Sequence, residues 1–573
     1  MLPDVRGSVS FAGDMIAHDR PTQTPWHGSL LCGLVAVLGH LPVLGAWWNR
    51  DDWGLLARAQ GLLEADGPAR FLSQTLYWRL FEPLFGLDPA PWAVTRLLLL
   101  AAVAGLTQRI GRRHLRLEPG PALLAGLLAA WSPLAFTPLH WAAGVQELLG
   151  AALALAAVDL ALSGGRRLAL AVPVGVAAML SKESALGLPL LLGALAWAGA
   201  IPARDRRGAV LASLVLLAAA LAEGWLVLQH FDHAPGAAYA LAGPLAWPLN
   251  LTQYGWWLLA AAWPWPAASW NALQGLAGLG YWTLLAWWAW RRWRAADRRP
   301  AALLLAALLS LAPALLLRGH LFPYLALTAW SPLVLLAAAA PWARRWRPGA
   351  TAAVAVAVVL AGAAFGGTTL RIKARAADGA PADPSVRGAA IAYRFIKGLE
   401  AMPPELGGRV AVLQPDVEPG ALPRPTDLYG ALAGGLAARV AVPDGPPLTW
   451  RTDLRDPPAD TFVLADAGVT AKPWGPLTQA RLLLALTRIG QGSHLSAMDL
   501  LLHTLARADE RVPLMFDADQ LTVPAADIRA RVPMFLSAVE SSGLPPEQAE
   551  ALRRTALELL TYAGLAPAAE ETP

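Results

Sequence analysis

The sequence predicts a polytopic α-helical membrane protein with a C-terminal soluble domain, α/β at first and then helical. Three observations predict it. Of 573 residues, 56% are hydrophobic and 15% charged, against about 25% charged in an ordinary soluble domain. The mean hydropathy is +0.42. Eleven apolar segments precede residue 367, and from about Thr368 hydrophobicity falls while Pro, Asp and Gly rise.

The segments are 30–47, 92–108, 121–138, 145–163, 168–181, 184–201, 209–228, 275–290, 301–317, 322–341 and 350–366. Most approach the roughly 17–25 residues that a transmembrane helix needs. The first follows a polar tail, 1–29, with Arg6, Asp14 and Arg20, and has no small-residue cleavage site after it, so it reads as an uncleaved signal anchor. Arginines cluster between segments at 109–116, 166–167, 204–207, 291–299 and 344–347. If these are cytoplasmic, the N-terminus is inside, and the C-terminal domain, 368–573, is outside, in the periplasm. Clusters of this kind mark topology, and no nucleic-acid partner is expected. The single cysteine, Cys32, permits no disulfide within the chain.

One apolar stretch, "LNLTQYGWWLLAAAWPWP" (250–267), is broken by prolines. A simple crossing there would move the Arg291 cluster outside, so an interfacial or re-entrant helix on the outer side is expected. In the C-terminal region "RVAVLQPD" (409–416) and "TFVLADAG" (461–468) read as buried strands. Residues 429–440, 477–489, 494–508 and 546–564 read as helices. No nucleotide fingerprint, zinc spacing or catalytic triad is present there, and docking or stabilisation is its expected role.

Ionisable groups gather on the predicted outer side. "WWNRDDWGLL" (47–56) sets Asp51 and Asp52 just after the first span, with Trp47, Trp48 and Trp53 as interfacial anchors. In "AAMLSKESALGLPLLL" (177–192), Lys182 and Glu183 interrupt an apolar run. The segment before them, 168–181, would rise only about 21 Å in a core about 30 Å thick, which puts Lys182 in a recess near headgroup depth. A Ser181 cap on the next helix would account for the serine and the acid, but not for a lysine that opposes the dipole. The turn 133–149 adds His140, Trp141, Gln146 and Glu147; the turn 315–325 adds Arg318, His320 and Tyr324; the first loop offers Tyr77 and Arg79. Singly, such residues are most often snorkelling or belt residues. Together they suit an anionic, lipid-linked substrate, with bases for a phosphate and an acid for a hydroxyl proton.

The acidic pair after the first span, "YWRLFEPLFGLDP", "LSKESALGLPLLL" and "HLFPYLALTAWSP" together resemble the GT-C superfamily of polyprenyl-phosphate-sugar-dependent glycosyltransferases. The resemblance covers about residues 30–366 and is to the protein O-mannosyltransferase family, its tetratricopeptide-containing relatives and their bacterial members. No 34-residue repeat is seen in the C-terminal region. The resemblance implies a GT-C-like catalytic domain over 30–367. It places Asp51 at the first acid, as base or acceptor-positioning group, and Asp52 at the second. Lys182 and Glu183 match the element near the donor phosphate, and His320 and Tyr324 fall where relatives carry polar residues near the donor.

The expected reaction is inverting transfer of a monosaccharide from a polyprenyl phosphate to a hydroxyl of protein, lipid or glycan, at the periplasmic face of a bacterial inner membrane. Lys182, with Arg318 or His320, would stabilise the leaving phosphate. No cofactor is required; a divalent metal bridging Asp51 to the phosphate is compatible, although no ligand spacing argues for one. The rival reading is a transporter or flippase of lipid-linked sugars, which usually carries inverted repeats; none is visible here.

Overall fold

The computed structural model describes residues 26–64, 67–234, 237, 239–260, 272–340, 348–364, 368–402, 409–455, 457–458, 460–505 and 520–565. The N-terminal charges Arg6, Asp14 and Arg20, the Arg344/Arg345/Arg347 cluster and the "WPWP" run lie outside the described residues.

Helices form where the apolar segments were expected, and they differ in length. Among the described residues four helices are long and apolar enough to cross a membrane: Pro89–Arg113, Pro119–His140, Ala142–Ser163 and Ala203–His230. The other apolar segments form shorter or more charged helices. The first anchor closes as a helix at Gly39 and continues as a 3-10 turn, Leu41–Gly45, with Pro42 at its start. Arg166–Met179 runs 14 residues from a Gly164–Gly165 pair at positive φ. Composition marks apolar runs; it does not fix how many residues remain helical once prolines and glycine pairs cut them.

Local chemistry sets the helix starts. Asp88 accepts a hydrogen bond from the Ala90 N–H, with Pro89 at the first position. Pro119–His140 is mostly buried and Ala203–His230 mostly exposed, so the first is central and the second peripheral. The 250–267 region begins as the helix Ala246–Leu259, which packs on Ala272–Arg294. A side chain at Gly278 would overlap the backbone of Thr252, so this crossing needs a glycine.

The arginine groups at 109–116 and 291–299 share one end of the bundle. Arg299 donates to the Leu115 carbonyl at 3.1 Å, Trp197 packs on Trp293, and Asp159 binds Arg109 at 3.1 Å and His114 at 2.9 Å. Asp51 and Lys182 follow the opposite ends of the segments that carry them.

The C-terminal region holds a four-stranded sheet of order β2-β1-β3-β4: β1 Arg409–Leu413, β2 Leu448–Arg451, β3 Thr461–Asp466 and β4 Ala471–Pro476. The β1 strand pairs in parallel with β2 and β3; β3 pairs antiparallel with β4. The two apolar strands β1 and β3 are central, as their sequences suggest. The edges were not expected, because β2 has four residues and β4 contains Pro473 and Pro476, tolerated at an edge. The helix expected at 429–440 is two, Asp427–Ala431 and Leu436–Ala441, broken where Gly434 and Gly435 take positive φ. Leu477–Gln491 and Pro546–Tyr562 fall where expected. Three further helices, Thr368–Lys373, Pro384–Glu400 and Ala525–Glu540, were not expected.

This region shares a core with the first loop. Trp48, Trp53, Leu56, Trp78 and Trp92 pack with Ile391, Phe395, Val410 and Leu432. The Trp53 indole N–H and the Arg50 N–H both donate to the Ala431 carbonyl, at 3.0 and 3.2 Å. Trp48 and Trp53 are therefore interior residues, not the interfacial anchors expected, because the C-terminal region covers them. Trp47 packs edge-on against Tyr393.

Candidate functional site

The acidic pair sits on a tight turn. Asp52 N–H donates to the Asn49 carbonyl at 3.1 Å, and Arg50 has φ 52°, ψ −122°. These are the dihedrals of the first central residue of a type II′ turn, a place for glycine. An arginine there stores strain of roughly 1–3 kcal/mol. The turn points the two acids apart. Asp51 is exposed and lines a cavity of about 520 Å³ with Arg50, Arg387, Thr426 and Asp427. Asp52 is fully buried; its Oδ2 accepts from Asn49 N–H at 3.0 Å and its Oδ1 from Ala143 N–H at 2.6 Å. Burial pushes Asp52 up to about 7, against the two N–H bonds and the Arg96 charge.

Ala143 belongs to the 3-10 turn that opens Val145–Ser163, whose first turn bears Gln146 and Glu147. Asp52 thus pins the segment that carries the second half of the site. There Lys182 pairs with Glu147 at 2.9 Å and Glu183 at 3.6 Å, all three buried. Lys182 is extended and precedes the 3-10 turn Glu183–Ala185. Ser181 does not cap that turn; its hydroxyl donates back to the Ala177 carbonyl at 2.7 Å. Gly150 makes room for the lysine: a Cβ there would lie 2.9 Å from the Lys182 Cβ.

Arg70, which nothing in the sequence singles out, completes the network. Its Nε binds Glu183 at 2.5 Å, its Nη1 donates to Gln146 at 3.3 Å, and its backbone N–H donates to Glu223 at 2.9 Å. Arg70 is left-handed (φ 52°, ψ 33°) and precedes a π-helical turn, Phe71–Leu76, a geometry concentrated at functional sites. That turn is tied down by Leu72 N–H to Leu180 O and Ser73 Oγ to Ser181 O, at 3.0 and 2.7 Å. The Arg70 guanidinium lies over Phe231 at 4.5 Å and near Tyr239. Tyr239 stacks on His320, His320 meets Phe322, and Phe322 stacks on Tyr324, which meets Trp141.

The expected residues therefore divide. Lys182, Glu183, Glu147, His320, Tyr324 and Trp141 come together around this aromatic-walled recess. Tyr324 feels the charges of Glu147 and Arg70, and His320 those of Lys182, Arg70 and Glu183. Burial first, then those two cations, lower His320 to about 4, so it is neutral at pH 7 and offers a hydrogen bond rather than a charge. Arg318 is exposed, two residues before His320, its backbone N–H donating to the Ala240 carbonyl at 2.8 Å; its side chain has no carboxylate partner among the described residues. Burial raises the Asp51 carboxyl, against the charges of Arg50, Arg58 and, last, Arg70.

Three residues fall elsewhere. Tyr77 is buried in an aromatic cluster, its hydroxyl against Thr95, because α-helical spacing turns it toward Trp92. Arg79 points to the exposed face of that helix. His140 is buried, stacked on Phe136, with Nδ1 3.0 Å from the Phe136 carbonyl. Glu223 had a signal in sequence, a lone acid inside an apolar span; Arg70 had none, being one arginine among several in a loop. Among the described residues no three His, Cys, Asp or Glu side chains converge as a metal site. No protein-family model matches this chain, and no curated protein matches it.

Proposed function

We propose that the chain is a GT-C-like glycosyltransferase that moves a monosaccharide from a polyprenyl phosphate to an acceptor hydroxyl, with inversion, at the periplasmic face of a bacterial inner membrane. On this reading all eleven apolar segments cross the bilayer. The observation that carries the reading is the division of the acidic pair: Asp51 open to a cavity, Asp52 buried and pinning the Glu147 helix. The acceptor enters the cavity between the first loop and the C-terminal domain. Asp51 takes its hydroxyl proton as that oxygen bonds to the anomeric carbon, and the bond to the carrier phosphate breaks with its electrons on the phosphate. Arg318 is the exposed cation still open to that phosphate; Lys182 supports it from behind, and neutral His320 donates a hydrogen bond.

The experiment is complementation of a deletion strain with glycolipids and glycoproteins read by mass spectrometry. Loss of one glycoconjugate, restored by wild type and not by Asp51→Asn at equal membrane abundance, is expected. Full restoration by Asp51→Asn ends the role of Asp51 as base. The buried group Arg70, Glu147, Lys182, Glu183 and Glu223 favours a second reading, transport of a lipid-linked sugar. Purified protein that forms no new glycosidic bond from a labelled donor, yet moves it across a vesicle, would establish that reading instead.

A further inference from the structure

A second cavity, of about 920 Å³, opens at the arginine end, away from the acidic turn. Its walls are apolar, from Leu155, Val158 and Leu162 on one helix and Leu188, Leu191 and Leu195 on another. Its inner end is polar: Ser184 and Thr328, whose hydroxyls lie 3.1 Å apart, line it. From Ser184 to Ala198 this wall is about 21 Å long at helical rise, two-thirds of a hydrocarbon core about 30 Å thick.

The mouth is strongly basic. Arg116, Arg292, Arg294, Arg298 and Arg299 line it, against the single carboxylate of Asp297. Asp297 pairs with both Arg292, at 2.7 Å, and Arg299, at 2.9 Å. Arg116, Arg294 and Arg298 are exposed and have no carboxylate partner among the described residues. Their height is held by aromatics: Arg298 lies 5.0 Å over Trp197 and 5.5 Å from Trp293, and Arg294 5.5 Å over Trp290. Tryptophans of this kind sit at the headgroup level of a bilayer. Two rim residues, Arg116 (φ 53°) and Ala296 (φ 61°), hold the left-handed backbone uncommon outside glycine.

An apolar slot with unpaired guanidinium groups at one end matches a molecule with a hydrocarbon tail and a phosphate. We propose that this cavity binds an anionic phospholipid, its tail between the helices and its phosphodiester on Arg294, Arg298 and Arg116. The site does not rest on the glycosyltransferase reading: it shares no residue with the recess and its mouth is at the opposite end, although its inner end, at Ser184, adjoins Glu183. Occupancy would wedge the Leu188–Trp197 helix against Arg299–Leu315 and so brace the segment leading from Glu183.

The test uses the full chain purified in detergent, with phosphatidylglycerol or phosphatidylcholine of the same chains added, and bound lipid counted by native mass spectrometry. Preferential retention of phosphatidylglycerol is expected. Arg294→Gln with Arg298→Gln removes two cations and should weaken it roughly 30-fold. Leu191→Trp, which fills the slot without touching charge, should reduce it too. Arg204→Gln with Arg207→Gln, at the same end but outside the lining, should leave it unchanged. Equal retention of the two lipids, wild-type retention by the Arg294/Arg298 variant, or displacement by inorganic phosphate alone would each overturn the proposal. Arg116→Gln gives an independent reading of the rim should the double variant unfold.

Discussion

Asp52 and Ala143 are joined by a 2.6 Å hydrogen bond, carboxylate Oδ1 to backbone N–H, across 91 positions of chain. That bond couples the strained turn of the acidic pair to the helix that carries Glu147. The pair does two jobs with two chemically identical side chains: one carboxylate faces a cavity and the other is structural.

The structural job can be measured. Asp52→Ala removes the acceptor of two buried N–H groups and should lower unfolding stability by about 1–3 kcal/mol per orphaned donor. Thermal unfolding in detergent checks this, and Asp51→Ala should leave the transition nearly in place.

The titration of Asp52 has a definite sign. Its carboxyl moves from 3.8 when unfolded to about 7 when folded, so the folded state holds the proton more tightly. Its contribution is full below about pH 4 and is lost as pH rises toward 7. The difference in melting temperature between wild type and Asp52→Asn should therefore shift against wild type across that window and level off above it; a flat difference would place the carboxyl at its ordinary value.

Lys182 holds Glu147 in the interior. Lys182→Met leaves that carboxylate buried without its cation, and breaking a buried pair costs about 3–5 kcal/mol. Adding Glu147→Gln should recover much of the loss. A double-mutant cycle in detergent measures the coupling, and additive losses would mean that the pair is not formed.

Arg50 offers the opposite test. Arg50→Gly places the residue a type II′ turn prefers, and should raise stability by up to about 1–3 kcal/mol as strain is released. If the strain serves to aim Asp51, the same variant should lose activity while gaining melting temperature.

Much of the helical layout was legible because hydrophobic runs bounded by arginines are strong signals, as in 92–108, realised as Pro89–Arg113. Helix length was not, since breaks at Pro42 and Gly164–Gly165 depend on local packing. In the recess, Lys182 and Glu147 stood out as charges in apolar surroundings. Arg70 did not, because its partners, Glu183, Gln146 and Glu223, lie 76 to 153 positions away. The division between Asp51 and Asp52 was also hidden: adjacent residues differ in role through a turn dihedral that no composition reveals.

The bond from Trp53 to the Ala431 carbonyl spans 378 positions, and this has a consequence for biogenesis. At synthesis rates of about 5–20 residues per second, roughly 20–75 s pass between the two residues leaving the ribosome. Through that interval Trp48 and Trp53 wait without the Ala431 carbonyl and the Val410 and Leu432 side chains that later cover them, so this part of the core closes only after the last third of the chain has been made.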